Sequence, residues 1–323
     1  MLLLTCFVVL VVASVRCQKH DPKGPLTEDF QLWLNRHGYG KYDFARLEFG
    51  DQGSYGGKMD RTEKVKNTPI VFIHGNSDGA LSNGDPYGSG WTKSLAYFLK
   101  NGYQPSELYA TTWGDRSPSN AVQRSHDCAY LVHIRRFIEA VMEYTGTHRV
   151  NIIAHSMGVT VARPVIKGMH VRQADGATCH LGHSINGQIE KFIAISGGNY
   201  GLCLCSQKAM MGFGNCNKWN GYWPGSACGE VGNCAHHKEN CSIAEYSSLL
   251  EETNKNKIKE ARRTYAIWST QDEIIDNKNL VYNRHTSSFP TLDEKMVFHN
   301  MTHMETKDNT VHLQYQWIQE KLA

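Results

Sequence analysis

The sequence lacks long hydrophobic runs beyond its first residues, lacks a basic cluster, and carries almost no net charge. Its one uninterrupted apolar stretch, "MLLLTCFVVLVVA" at residues 1–13, is too short to span a bilayer, which takes about 20 apolar residues. A net charge of +3, with no run of lysine and arginine to track phosphates, gives no reason to expect nucleic acid as a partner. Internal repeats, low-complexity tracts and linker-like segments are absent too. The simplest organisation is therefore one domain with an inserted loop region. Nothing in the sequence bears on oligomeric state. Across 323 residues, 41% are hydrophobic and 20% charged, which is enough apolar material for a substantial core.

The N-terminal run has the length of a signal-peptide core and is followed by Ser14-Val15-Arg16-Cys17-Gln18. Val15 and Cys17 allow cleavage before Gln18, although only the terminal amine supplies positive charge at the start. The expectation is a signal peptide at 1–17, a mature chain at 18–323, and secretion. Two of the 10 cysteines, Cys6 and Cys17, fall in the signal. The rest are Cys128, Cys179, Cys203, Cys205, Cys216, Cys228, Cys234 and Cys241. An even number in a secreted chain predicts disulfides, and spacing alone does not choose the pairing. Cys234, His236, His237 and Cys241 could instead bind zinc, but an oxidising compartment favours disulfides. Asn240 and Asn300 stand in N-glycosylation triplets.

Short apolar runs rich in β-branched residues recur at 68–73, 107–112, 149–154, 191–195, 264–268 and 295–299. Such runs are what strands buried on both faces look like. Helical periodicity fills gaps between them. Leu131, Ile134, Ile138 and Val141 repeat at spacings of three and four before Gly146. Val311, Tyr315, Ile318 and Leu322 do so after a cap expected at Asp308. Strands alternating with helices predict an α/β protein with a mostly parallel, doubly wound sheet, whose functional groups lie beyond the carboxyl ends of the strands. Residues 201–242, rich in Gly, Asn, Cys and aromatics, break the alternation and read as a disulfide-bonded insertion. There Met210, Met211, Phe213, Trp219, Tyr222 and Trp223 make either a lipid-contacting rim or the core of a small subdomain.

In "VNIIAHSMGVTVA", residues 150–162, a strand runs straight into Ser156 and a helix follows. A serine on such a turn is lifted above the helix N-terminus, provided the residues two before and two after are small. Ala154 and Gly158 meet that need; Pro164 should bend or interrupt the helix. The bland reading of Ser156 is a helix cap. As a nucleophile it needs a base and a group to orient that base, in chain order serine, acid, histidine, each just past a strand. Asp272 and His303 stand there, with Asp276 a second acid and His312 a second base. His299 is expected inside a strand, pointing into the fold. Main-chain N–H groups of Met157 and Asn76 are the expected donors to an oxyanion. Ser196-Gly197-Gly198 reads as a turn beside the same edge.

"IVFIHGN", "NIIAHSMG", "IWSTQDEII" and "HNMTH" together resemble the class 2 lipase family, which includes small secreted bacterial lipases and secreted nematode lipases. "FGDQGSYGGK", at 49–58, is similar to the nematode members, as is the cysteine-rich insertion, which the small bacterial members lack. The resemblance implies an α/β-hydrolase fold, a carboxylic ester or triacylglycerol substrate, and no cofactor. It matches Ser156 to the nucleophile, Asp272 to the acid, His303 to the base, and Asn76 and Met157 to the oxyanion amides. An esterase or acyltransferase on another acyl substrate, or a non-catalytic lipid-binding protein on the same scaffold, would share most of these features.

Overall fold

The structure is a computed structural model, and it describes residues 21–210, 212–225, 234 and 246–322. The expected signal peptide, Met211, Cys228, His236, His237, Asn240 and Cys241 lie outside the described residues. The strands are β1 (Ser54–Tyr55), β2 (Ile70–Ile73), β3 (Leu108–Thr111), β4 (Val150–His155), β5 (His170–Arg172), β6 (Thr178–His180), β7 (Ile189–Ile195), β8 (Arg263–Ser269), β9 (Leu280–Val281), β10 (Arg284–His285) and β11 (Glu294–Phe298). The helices are α1 (Glu28–Arg36), α2 (Thr92–Lys100), α3 (Cys128–Thr145), α4 (Met157–Lys167), α5 (Ser248–Lys255), α6 (His303–Asp308) and α7 (Val311–Gln319).

Seven strands form the central sheet in the order β1-β3-β2-β4-β7-β8-β11, with β5–β6 and β9–β10 as separate hairpins. β1 is antiparallel and every other pairing in the sheet is parallel. All six strands expected from the apolar runs are present. The short edge strand β1 was not among them. Side chains alternate across a strand, and the two faces bury two sets of partners. Val71, Ile73, Ile152, Ala154, Phe192 and Trp268 share a core with α1, α3, α4 and α5. Ile70, Phe72, Ile153, Ile193, Tyr265 and Ile267 share another with α2 and α7.

The periodic residues of α3 are buried, and Gly146 ends the helix at φ 66°, a conformation glycine adopts without a Cβ clash. Two helix expectations need correction. Pro164 does not interrupt α4, which continues to Lys167 before Gly168 caps it; the helix ends within a turn, so little of it depends on the missing N–H. Asp308 does not cap the last helix: it closes α6, and Thr310 occupies the cap position of α7.

Three disulfides join Cys128 to Cys179, Cys203 to Cys234 and Cys205 to Cys216. Bonding of Cys234 removes it as a zinc ligand, and no group of three or more metal-binding side chains occurs among the described residues. Within the insertion, Tyr222 and Trp223 are buried while Trp219 stays exposed. Tyr222 donates to, or accepts from, the Thr160 hydroxyl (2.7 Å), and His126 bridges Thr160 and the Asn220 carbonyl (2.6 and 2.7 Å). The insertion is thereby anchored on α4. No helix among the described residues is long and apolar enough to cross a membrane.

Candidate active site

The turn between β4 and α4 holds Ser156 at φ 55°, ψ −127°, a region that non-glycine residues rarely enter. Its N–H donates to the Ile195 carbonyl of the neighbouring strand (2.7 Å), and its own carbonyl accepts from Val159 (3.0 Å). The small residue two positions after the serine is sterically required. A Cβ on Gly158 would lie 2.4 Å from the Ile73 oxygen and 2.5 Å from the His74 oxygen. The loop after β2 comes equally close: a Cβ on Gly75 would sit 2.7 Å from the Ser156 Cβ. Met157 is the first residue of α4, so its N–H has no acceptor within the helix.

His303 begins α6, after a capping box made by Thr302 and Glu305. Its Nδ1–H donates to both carboxylate oxygens of Asp272, at 2.9 and 2.8 Å. Its main-chain N–H donates to Glu273 Oε2 (2.8 Å), and its carbonyl accepts from Thr306 Oγ1 (2.6 Å) and His155 Nε2 (3.2 Å). Burial works to raise the Asp272 pKa. The His303 imidazole, with hydrogen bonds from His303, the Ile275 N–H and the Ser196 hydroxyl, outweighs burial and holds the carboxyl below its usual range. His155 lies against His303, with ring centroids 4.6 Å apart. Desolvation first, and the neighbouring His303 second, push its pKa well below the ordinary value. His155 is thus neutral, and its Nε2–H is the donor to His303.

Ser156 and His303 line one cavity of about 400 Å³, together with Asn76, Arg116, Tyr87 and Ile274. A cleft of about 830 Å³ at the opposite end of the sheet, around Arg149, Lys191 and Glu320, holds neither residue. No residue of the insertion lines the 400 Å³ cavity among those described. Asn76 follows the strand-ending His74-Gly75. His74 Nδ1–H donates to the Gly75 carbonyl (2.7 Å), its Nε2 accepts from Trp113 N–H (3.0 Å), and its ring stacks on Trp113. Complete burial lowers its pKa to about 3, so this histidine is a neutral brace between the loops after β2 and β3. Asn76 N–H meets no acceptor among the described residues.

The alternatives separate cleanly. Asp276 is exposed and makes no bond to His303; His312 is exposed on α7 against Tyr97. His299 lies just past β11, exposed, bonded to Thr270 Oγ1 (3.0 Å). The expectation that it points inward fails because β11 is the outermost strand and ends one residue earlier. Ser196 ends β7 and bonds Thr306 Oγ1 (2.9 Å), which fits a turn at the edge of the site. Sequence reasoning did not find the supporting side chains Glu273, His155 and Arg124. Glu273 adjoins Asp272, and His155 adjoins Ser156, so adjacency was the available signal for those two; Arg124 had none.

Residues 67–316 match the class 2 lipase family. The chain belongs to that family. Its members' chemistry makes this protein a carboxylic-ester hydrolase, of the lipase or esterase kind. Among solved structures, a mature lipase of Bacillus licheniformis is similar over 82% of this chain and 97% of its own, with a TM-score of 0.50 at 11% identity. A monoacylglycerol lipase of Paleococcus ferrophilus matches 83% of this chain and 97% of its own, with a TM-score of 0.43 at 14% identity. An acylaminoacyl peptidase of Pyrococcus horikoshii matches 83% of this chain and 39% of its own, at 0.46 and 14%. The fold is that of the α/β-hydrolases.

Proposed function

We propose that the protein is a secreted lipase, acting on triacylglycerol or a related acyl ester through an acyl-enzyme on Ser156. The carrying observation is the His303–Asp272 pair, bonded at 2.8 Å, on the same cavity as the strained Ser156 turn. With Nδ1–H given to Asp272, Nε2 is the nitrogen free to serve the serine. In the first half-reaction Ser156 Oγ attacks the acyl carbonyl and His303 takes its proton. The oxyanion accepts from the N–H groups of Asn76 and Met157. His303 then protonates the departing alcohol oxygen as the ester bond breaks. Water, deprotonated by the same histidine, then attacks the acyl carbon, and His303 returns that proton to Ser156 Oγ as the acyl–oxygen bond breaks and the acid leaves. Asp272 orients the imidazole and stabilises its charged form.

Secretion is supported by the apolar leader and by three disulfides, which persist in oxidising compartments. The glycosylation reading rests on Asn300, which is exposed. Substrate reach is tested by an ester series from short p-nitrophenyl esters to emulsified long-chain triacylglycerol, with Ser156→Ala beside it. Serine-dependent release that rises on the emulsion is the expected result. Release confined to short soluble esters would make the protein an esterase, and release undiminished in Ser156→Ala would overturn the mechanism.

A further inference from the structure

Arg124 comes from the segment between β3 and α3, and its side chain is buried to within 3% of full exclusion from solvent. A guanidinium is expensive to bury and is held only where it is paired and its donors are used. Four acceptors meet this one. Nη1 donates to Asn76 Oδ1 and to Ser77 Oγ (2.8 Å); Nη2 donates to Asp115 Oδ1 and to the Ser117 carbonyl (3.0 Å). On its other side, Asn76 Nδ2 donates to the Ala121 carbonyl (2.8 Å). Ser77 follows at φ 63°, so the loop after Gly75 turns in a conformation that needs external support.

We infer that Arg124 is a positioning residue for the oxyanion site: it clamps the Asn76 side chain and the Ser77 hydroxyl so that the Asn76 main-chain N–H is held beside Ser156. This rests on the proposed mechanism, in which that N–H binds the oxyanion. The inference follows from placement. Among the described residues, Asn76 is the one cavity residue whose side-chain oxygen and nitrogen are both tied into the loop after β3, and Gly75 before it is pressed against the serine. Hydrogen bonds at both ends of its amide tether the Asn76 side chain, which restrains the Cα and the backbone segment that carries its N–H. Arg124 itself does not line the cavity, so it has no contact through which to bind substrate. Its loss should act on the transition state and spare ground-state binding.

The test compares Arg124→Ala and Arg124→Lys with the parent enzyme on a soluble p-nitrophenyl ester, and measures inhibition by an alkyl trifluoromethyl ketone, whose hemiketal oxyanion mimics the intermediate. The expected result for Arg124→Ala is a kcat lower by about 10–100-fold, the scale of a misplaced catalytic group. KM should stay within about twofold, and the inhibition constant should rise by the same factor as kcat falls. Added guanidinium should recover part of the rate. Arg124→Lys, which keeps the charge beside Asp115 but not the fork, should fall between and serves if the alanine variant does not fold. Unchanged kcat in either folded variant would overturn the inference, as would a loss expressed only in KM or an inhibition constant that does not move. Failure of the underlying mechanism would look different: the ketone would not inhibit the parent enzyme, or Ser156→Ala would still turn over ester.

Discussion

At the scale of single residues, the backbone of Ser156 is held in a conformation costing about 1–3 kcal/mol, and its surroundings maintain it. The strand-to-strand bond to Ile195, the helix that starts at Met157, and two glycines within van der Waals reach leave the chain no other course. Gly158→Ala should therefore force β2 and α4 apart. We expect a stability loss of about 1–3 kcal/mol, in the range of overpacked cores, seen in a thermal melt, together with at least a tenfold loss of ester turnover. Full activity in that variant would show that the close approach is not needed. Asp272→Asn should keep the fold while lowering kcat by about 10³–10⁴-fold, because asparagine presents the imidazole with the wrong hydrogen-bonding partner. A smaller effect than in His303→Ala is expected, and a variant with undiminished kcat would remove Asp272 from the mechanism.

How much of this was legible follows from where each residue sits. Ser156, Asp272 and His303 each come just after a strand that the apolar runs reveal, so topology and chain order sufficed to nominate them. Arg124, Glu273 and His155 act through partners 30 or more residues away (Asn76 and Ser77 for Arg124, His303 for the others). Such bonds are made by folding: adjacency to Asp272 and Ser156 pointed to Glu273 and His155 without naming their partner, and nothing local pointed to Arg124.

At the scale of elements, β2, β4, β7 and β8 are buried on both faces and so read as continuous apolar runs, whereas β1 is two residues long and offers no pattern. The insertion has no period because disulfides and polar bonds to α4 and the segment before α3, rather than a face of its own, hold its described part. The Cys128–Cys179 disulfide ties the start of α3 to the β5–β6 hairpin across 51 residues. A loop of that length gives a chain-entropy stabilisation of about 4 kcal/mol. Replacing both cysteines with alanine should lower the melting temperature by several degrees and leave kcat within about twofold at a permissive temperature, because neither cysteine borders the 400 Å³ cavity. A melting temperature that does not move would show that the disulfide closes a loop already ordered in the unfolded chain.

At the scale of the whole molecule, the buried His74 and His126 and the half-buried His133 set the response to acid. Desolvation chiefly pushes His74 down to about 3, and His126 and His133 to about 4. Their pKa values are about 6.5 in the unfolded chain. As pH falls below that value the unfolded chain binds protons that the native state refuses, so stability is full above about pH 6.5 and is lost on the way down to the folded values. Each histidine adds a slope of up to about 1.4 kcal/mol per pH unit. Urea melts between pH 7 and 4.5 should show a steep decline in unfolding free energy, less steep in His126→Gln. A flat profile would mean that these rings are not held neutral.

The proposed role of Ser156 as nucleophile is decided by titrating the enzyme with diethyl p-nitrophenyl phosphate and mapping the adduct by peptide mass spectrometry. One equivalent of p-nitrophenol released per enzyme, a diethylphosphoryl group on Ser156, and loss of ester hydrolysis in step with labelling are expected. Labelling of another residue, or hydrolysis that survives full modification of Ser156, would contradict it.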